Sequence, residues 1–196
     1  MVLLRCTVFA AVLIMVGVGH EPPADSCCVC AKAKLGHGWC RACKVGYVAG
    51  VRIDSELLYE EIDAHGHDIY PDRIECASCR DALRTDGFCN RCSIGFVKKQ
   101  AYMSRLTYSI AKGTTKDAAA IECAACRKNA QQHGWCDSCK IGMVGNVALT
   151  DRNDFERAAQ AYEVLGEAIR TLKRCVTCAV AMVTDGYCAV CKITYT

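Results

Sequence analysis

Sixteen of the eighteen cysteines fall into eight CxxC pairs. Two pairs separated by nine residues make one unit, and the unit occurs four times without an insertion. The pairs are Cys27/Cys30 with Cys40/Cys43, Cys76/Cys79 with Cys89/Cys92, Cys123/Cys126 with Cys136/Cys139, and Cys175/Cys178 with Cys188/Cys191. Zinc binds thiolate strongly and imposes no d-electron geometry, so it suits four sulfurs at tetrahedral corners. Each unit can therefore present four sulfurs to one metal ion.

The residues in front of the third cysteine of each unit also repeat. A glycine and an aromatic residue occur there as Gly38-Trp39, Gly87-Phe88, Gly134-Trp135 and Gly186-Tyr187. The residue before the glycine alternates as His37, Asp86, His133 and Asp185. Duplication of a pair of units explains this alternation most simply. We expect the aromatic side chains to cover the metal cage, with an exposed recognition face as the alternative.

A second shared phrase follows the fourth cysteine of each unit, at residues 44–48, 93–97, 140–144 and 192–195. Its alternating apolar residues predict a short strand. The sequences Thr85-Asp86-Gly87 and Thr184-Asp185-Gly186 are typical of tight hairpin turns, because glycine tolerates a positive φ. The sequence therefore predicts each unit to be a small β-hairpin with a CxxC knuckle at each end.

The segments between the units carry the apolar pattern of helices. The clearest stripe runs from Phe155 to Leu172, behind a capping signal at Asp151 or Asn153. Shorter stripes lie at 57–62 and 103–110. The predicted order is unit 1 at 27–48, spacer 49–75, unit 2 at 76–97, spacer 98–122, unit 3 at 123–144, spacer 145–174 and unit 4 at 175–196.

A module of about seventeen residues is too small to fold on a hydrophobic core and needs a staple. In their paired knuckles the four units resemble the zinc-ribbon and rubredoxin-like folds, over roughly a third of the chain. The resemblance implies a small metal-stapled α+β repeat, with four zinc-ribbon-like β-hairpins joined by helical spacers. It also implies that all sixteen paired cysteines are ligands, for four zinc ions. Iron uses the same sulfur cage, and disulfides are a further way to staple each unit.

Residues 1–19 have the pattern of an export signal. Arg5 is the only charge before an apolar run from Cys6 to Val18, which is too short to span a bilayer comfortably. We expect cleavage after Gly19, with an uncleaved membrane anchor as the alternative. The mature chain is then periplasmic, at the cell surface or secreted. Export keeps the disulfide alternative open, because cysteines outside the cytoplasm pair by default.

Several function classes do not fit the sequence. The formal net charge of +3 gives no basis for a nucleic-acid partner, and four thiolate-bound divalent ions would shift it to about −5. No CxxC pair is followed by histidine, which excludes covalent haem attachment. A thioredoxin-like active pair needs a βαβ context and usually a facing proline, and Pro71 is the only proline beyond the signal region. No catalytic constellation is present, so we predict that the protein is not an enzyme.

Three further groups could take part in metal chemistry. Cys28 lies beside Cys27 and is interpreted as a spare thiol that can exchange with it. His37 and His133 are interpreted as turn residues, since aspartates occupy the same places in the other two units. The histidines of loop 65–67 are interpreted as solvated polar residues.

These observations predict an exported, non-enzymatic scaffold with four structural zinc sites that presents its hairpins and spacers to a protein partner. One alternative is a protein that buffers or delivers zinc or another soft ion. Another is a secreted repeat stapled by disulfides. A scaffold is expected to hold its metal until it unfolds, whereas a buffer gives metal to a moderate chelator with its helices intact.

Overall fold

The computed structural model describes residues 27–195, so the predicted export signal at 1–19 lies outside the described residues. Within 27–195 the α-helices are α1 (Cys28–Leu35), α2 (Glu56–Ile62), α3 (Ala77–Arg84), α4 (Arg105–Ala111), α5 (Ala124–Gln132), α6 (Arg152–Thr171) and α7 (Val176–Val183). Single-turn 3₁₀ helices span Pro71–Arg73 and Ala118–Ala120. In this part of the chain, no helix combines the length and apolar character that a membrane crossing requires.

The strands are short, and most belong to the units. They are β1 (Trp39–Cys40), β2 (Val45–Val48), β3 (Val51–Ile53), β4 (His67–Asp68), β5 (Phe88–Cys89), β6 (Ile94–Val97), β7 (Gln100–Tyr102), β8 (Thr114–Thr115), β9 (Trp135–Cys136), β10 (Ile141–Val144), β11 (Val147–Leu149), β12 (Tyr187–Cys188) and β13 (Ile193–Thr194). The protein is thus a small α+β repeat with four cysteine units along the chain, which confirms the predicted fold class.

Every unit has the same order of elements: a short helix, a strand, the second CxxC pair, and a returning strand. In unit 1 the two strands pair antiparallel with Cys40 opposite Val45. Units 1 to 3 add a third strand, and the spacers before units 2 and 3 contribute an edge strand. The resulting sheets have the orders β1-β2-β3, β4-β7-β6-β5, β8-β11-β10-β9 and β12-β13.

The hairpin turn predicted in the nine residues between the CxxC pairs is wrong. In unit 2 these residues contain the second half of α3, the turn that ends it and the start of β5, and only the second pair sits in a hairpin. Asp86 takes a left-handed φ of 48°, and the Gly87 N–H donates to the Ala82 carbonyl at 2.8 Å. That bond is the one that closes a helix C-terminus. Asp-Gly serves both structures because both need a residue with positive φ, so the dipeptide alone does not distinguish them.

The predicted spacer helices are formed. Helix α6 begins after Asp151, whose Oδ1 accepts from the Asp154 N–H at 2.9 Å, so Asp151 and not Asn153 is the capping residue. Helices α2 and α4 begin in the same way after Ser55 and Ser104. Each capping side chain satisfies one backbone donor that the first turn of a helix leaves unpaired.

One apolar core joins the units through these spacer helices. Helix α6 packs against α4, α7 and β10, and it buries Phe155, Leu165 and Ala168 in the shared core. Leu58 and Ile62 of α2 and residues of β10 and β11 complete it. Within the described residues, no cysteine belongs to this core. The sulfur clusters are therefore satellites around a core to which the spacers and the units both contribute, the units with Val48, Val144 and Ala179 among others.

An aromatic ring from the helix after each of the first three units packs on the hairpin of that unit. The pairs are Trp39–Tyr59, Phe88–Tyr108 and Trp135–Phe155, with ring centroids 5.3, 5.4 and 5.7 Å apart. The helix ring lies over a glycine of the returning strand, at Gly46, Gly95 and Gly142. Because a Cβ at any of these glycines would overlap the ring, the glycine is what lets the helix approach the hairpin.

Replacing the glycine under the helix ring by a larger residue is expected to destabilise the protein. In the variant Gly142→Ala the new Cβ overlaps Phe155, and overpacking of this kind lowers the free energy of unfolding by about 1–3 kcal/mol. Gly166→Ala in α6 is the control, because its Cβ meets only the Arg170 Nη1 at 3.6 Å. Alanine there gains helix propensity, so this variant should be as stable as the wild type or more so. Chemical denaturation followed by circular dichroism measures both, and equal stabilities would contradict the prediction.

Candidate metal centres

Four groups of four cysteine sulfurs each lie within reach of a common ion, and in each group all Sγ atoms are within 4.8 Å of one another. We call them site 1 (Cys27, Cys30, Cys40, Cys43), site 2 (Cys76, Cys79, Cys89, Cys92), site 3 (Cys123, Cys126, Cys136, Cys139) and site 4 (Cys175, Cys178, Cys188, Cys191). The Sγ atoms of the first and third cysteines are 3.9, 4.0 and 3.8 Å apart in sites 1, 2 and 4. Zinc–sulfur bonds of about 2.3 Å require about 3.8 Å between sulfurs at tetrahedral corners. The sulfur geometry therefore fits a tetrahedral ion.

Two local structures position the sulfurs. The first cysteine of each unit is the residue that precedes the first turn of a helix, and the second lies in that turn. The third cysteine ends the strand before a tight turn, and the fourth lies within that turn, which ends on a residue with left-handed φ. These residues are Lys44, Ser93, Lys140 and Lys192, with φ of 52°, 53°, 53° and 59°. In site 4 the Cys178 N–H donates to the Cys175 Sγ at 3.4 Å, and the Cys191 N–H donates to the Cys188 Sγ at 3.3 Å.

The four sulfurs of a site differ in exposure. The second and third cysteines are buried in every site. The first is half-buried, and the fourth is exposed except at site 1, where Cys43 is half-buried. Each site therefore lies at the surface, with one ligand edge turned towards water.

The thiols of a site also differ in acidity when no metal is bound. Backbone hydrogen bonding from Cys79 lowers the pKa of Cys76 to about 6. Equivalent bonds at the other helix starts lower the pKa of Cys27, Cys123 and Cys175 to about 7. Hydrogen bonds with neighbouring thiols raise the pKa of Cys43 and Cys191 to about 12, and burial raises the pKa of Cys79. The thiol at the helix N-terminus is thus the first to become a thiolate.

The ring that covers the sulfurs is not the aromatic residue before the third cysteine, so that expectation is wrong. Trp39 and its equivalents pack on the spacer helices instead, and Tyr187 is exposed. The side chain against the sulfurs comes from the returning strand, at Tyr47, Phe96, Met143 and Tyr195. The phrase after the fourth cysteine holds a large side chain at the same place in all four units, and this repetition is the signal in the sequence for the contact with the sulfurs.

Two of these four side chains bring a tyrosine hydroxyl to the ligand sulfurs. Tyr47 packs with Cys30 and Cys40, and Tyr195 packs with Cys178 and Cys188. The tyrosine hydroxyl favours the thiolate form of Cys30 and of Cys178, but the pKa of both thiols is raised overall, at Cys30 mainly by burial. Phe96 and Met143 hold the same place in sites 2 and 3 and carry no hydroxyl.

His37 and His133 are turn residues, as the sequence predicted, and lie outside the sulfur groups. Both have left-handed φ and accept a backbone N–H on Nδ1, from Ala49 at 3.0 Å and from Gly145 at 3.2 Å. Burial lowers the pKa of each imidazole, which keeps Nδ1 available as an acceptor at neutral pH. Asp86 does the same for Lys98 with its Oδ1 at 3.0 Å. An acceptor at left-handed φ is what histidine and aspartate share at this position.

Cys28 lies exposed on the first turn of α1 and outside site 1, while Cys27 is inside it. This agrees with the predicted choice of Cys27 as the member of the repeated pair. His67 contacts the Asp63 carboxylate at 2.7 Å on the surface, and loop 65–67 belongs to none of the four sulfur sites.

The resemblance to zinc-ribbon knuckles concerns the cysteine units, and all four of them form tetrads. Comparisons of the chain with protein-family models, with curated proteins and with solved structures find no match. The case for metal binding therefore depends on the sulfur geometry of this chain itself.

Exchange of the turn acceptor tests the role of the alternating residue. His133→Asp should keep the hydrogen bond to the Gly145 N–H, because aspartate supplies the same acceptor in unit 2, and it loses only the ring contact with Tyr162, whose centroid is 4.1 Å away. His133→Ala removes the acceptor from the Gly145 N–H and should cost about 1–2 kcal/mol. Chemical denaturation of the metal-loaded variants measures the difference. An alanine variant as stable as the aspartate variant would show that the hydrogen bond contributes nothing.

Metal binding should release protons. The raised pKa values of the second and fourth cysteines predict at least two protons per ion at pH 7. The apparent zinc affinity should then fall by about a hundredfold for each unit of decreasing pH. The fall should steepen below the pKa of the first cysteine, about 6 at site 2, where a further proton competes. Titration calorimetry in buffers of different ionisation enthalpy counts the protons, and a heat independent of the buffer would refute the prediction.

Proposed function

We propose that this protein is an exported, non-enzymatic metal-binding scaffold with four structural zinc sites. The observation that carries the proposal is the placement of sixteen cysteines in four tetrads with all sulfurs within 4.8 Å. Zinc is favoured because a closed set of four sulfurs is its usual structural site. Iron fits the same donor set and is the second choice of metal.

Several features support a structural role over a catalytic one. Each site supplies four protein sulfurs, which leaves no coordination position for a water or a substrate. The buried sulfurs form the centre of each unit: the cluster of site 4 consists of Cys178, Ala181 and Cys188. So small a cluster cannot hold a fold alone, whereas metal binding contributes about 10–16 kcal/mol in small modules. Stabilising the fold of its unit is therefore enough to account for each ion, without a catalytic role.

Unit 4 offers a surface for the proposed protein partner. Tyr187, Val190 and Ile193 are 57%, 72% and 46% exposed. In units 1 to 3 the residue equivalent to Tyr187 packs under a helix ring. In unit 4 Thr194 stands where those units have the glycine that admits the ring, opposite Tyr187 in the hairpin. We propose that a protein partner contacts this apolar hairpin.

A second candidate function is buffering or delivery of zinc or a similar soft ion. The exposed fourth cysteine of sites 2, 3 and 4 favours it, because an incoming ligand can reach that sulfur. The absence of cysteine from the shared core, within residues 27–195, also favours it. That core can keep the spacer helices folded when a unit loses its ion.

Native mass spectrometry of the mature chain, followed by alkylation of the unfolded chain, tests the proposal. We expect four bound zinc ions and at least sixteen alkylated thiols, since the chain holds sixteen paired cysteines. Substitution of one ligand, Cys126→Ser, should reduce the count to three ions, and Cys28→Ser is the control that leaves four.

The outcomes separate the candidates. A chain with no metal and almost no free thiol would be a disulfide-stapled repeat, and the metal proposal would be wrong. Four ions that a moderate chelator removes while the helical circular dichroism stays would favour the buffer. Four ions that leave only when the helices unfold would favour the scaffold.

A further inference from the structure

The four sites are not chemically equivalent, although their cysteine spacing is identical. A tyrosine packs against the ligand sulfurs in sites 1 and 4, and an apolar side chain takes its place in sites 2 and 3. Tyr47 is 6% exposed and Cys30 2%, so a hydrogen bond from this hydroxyl to that sulfur would be largely shielded from water. A hydrogen bond to a thiolate stabilises its charge and lowers its reactivity towards acids and electrophiles.

Site 3 is distinguished a second time by a cavity. A space of about 330 Å³ opens beside it and is lined by Cys123, Cys126 and Cys139, together with Met143. This volume is at the lower end of the range for small-molecule pockets, about 300 Å³. Lys116 and Glu122 line it as well and give it one charge of each sign. The cavity described beside site 1 reaches only Cys30 of that tetrad.

We infer that site 3 is an exchange site, at which a small thiol entering the cavity beside Cys139 takes over the metal, while sites 1 and 4 retain theirs. The inference rests on the proposed metal-loaded state and adds a division of labour to it. The mixed charges of the cavity suit a zwitterionic thiol such as an amino acid, whose carboxylate would face Lys116 and whose ammonium would face Glu122. Site 2 also lacks the hydroxyl, but none of its cysteines lines that cavity. We therefore expect its exchange rate to lie between that of site 3 and those of sites 1 and 4.

The exchange is a ligand substitution without redox chemistry. The incoming thiolate would supply one electron pair in place of that of Cys139, which is exposed and would leave with its own pair. The released Cys139 thiolate would take up a proton equal to the one that the incoming thiol gave to the solvent. Three repetitions at the remaining sulfurs complete the transfer, and the ion keeps its charge throughout.

The test uses the full mature chain loaded with four zinc ions. It is incubated without oxygen with L-cysteine and a zinc-binding dye, and samples are alkylated and mapped by peptide mass spectrometry. Thiols that have lost metal become labelled. We expect Cys123, Cys126, Cys136 and Cys139 to be labelled first, about tenfold faster than the cysteines of sites 1 and 4.

Variants at the contacting position separate the hydroxyl from other causes. Tyr47→Phe and Tyr195→Phe should accelerate labelling of sites 1 and 4 respectively by about tenfold or more. Met143→Tyr should slow site 3, and Met143→Leu is the matched control that should leave it fast. If Met143→Tyr fails to fold, the two phenylalanine substitutions still test the role of the hydroxyl.

Two results would overturn the inference. Equal labelling rates at sites 1 and 3 of the wild-type chain would contradict it, as would unchanged rates in both phenylalanine variants. A wild-type chain that binds four ions and shows either result refutes this inference alone. A wild-type chain that binds no zinc refutes the proposed function and this inference with it.

Discussion

The structure depends on bringing four cysteine sulfurs within 4.8 Å of one another in units that have almost no other core. In site 1 two of the five buried cluster residues are cysteines, and the rest are Ala33, Val45 and Tyr47. Four thiolates so close together repel one another, so the folded unit needs either protons or a cation between the sulfurs. In the metal-free unit protons meet this requirement: hydrogen bonds with the neighbouring thiols raise the pKa of Cys43 to about 12, so this thiol keeps its proton. A divalent ion satisfies it with all four sulfurs charged, and folding and metal binding are then one process.

A unit held in this way still has to be attached to the rest of the chain, and a glycine makes that possible. The ring of Phe155 seats on Gly142 of unit 3, and the same helix then runs through the shared core with Leu165 and Ala168. Tyr59 and Tyr108 add a hydroxyl bond to the carbonyl of the turn residue, at 2.9 and 3.0 Å. The first two units are therefore also joined to their spacer helices at the point where the small helix of the unit ends. The contact between ring and glycine thus fixes the sulfurs relative to a core that, within residues 27–195, contains no cysteine.

The spacing of the cysteines and the stripe of α6 were sufficient to predict the four tetrads and the longest helix, because both patterns repeat over many residues. The helices inside the units were missed, since Thr85-Asp86-Gly87 favours a hairpin and a helix end for the same reason. The partner of Trp39 was also missed, because the contact with Tyr59 joins residues twenty positions apart in two different elements. The hydroxyl at Cys30 depends on which face of a strand Tyr47 occupies, and that follows only from the register with β1.

The four units sort differently by structure and by sulfur chemistry. The turn acceptor pairs unit 1 with unit 3 and unit 2 with unit 4, which is the pattern a duplicated pair leaves. The residue against the sulfurs instead pairs the outer units, Tyr47 and Tyr195, and separates them from Phe96 and Met143 in the inner ones. If this side chain only filled space, units 1 and 4 would not need a hydroxyl there. Its departure from the duplication pattern, together with the cavity that three ligand sulfurs of site 3 line, supports different duties for the inner and outer sites.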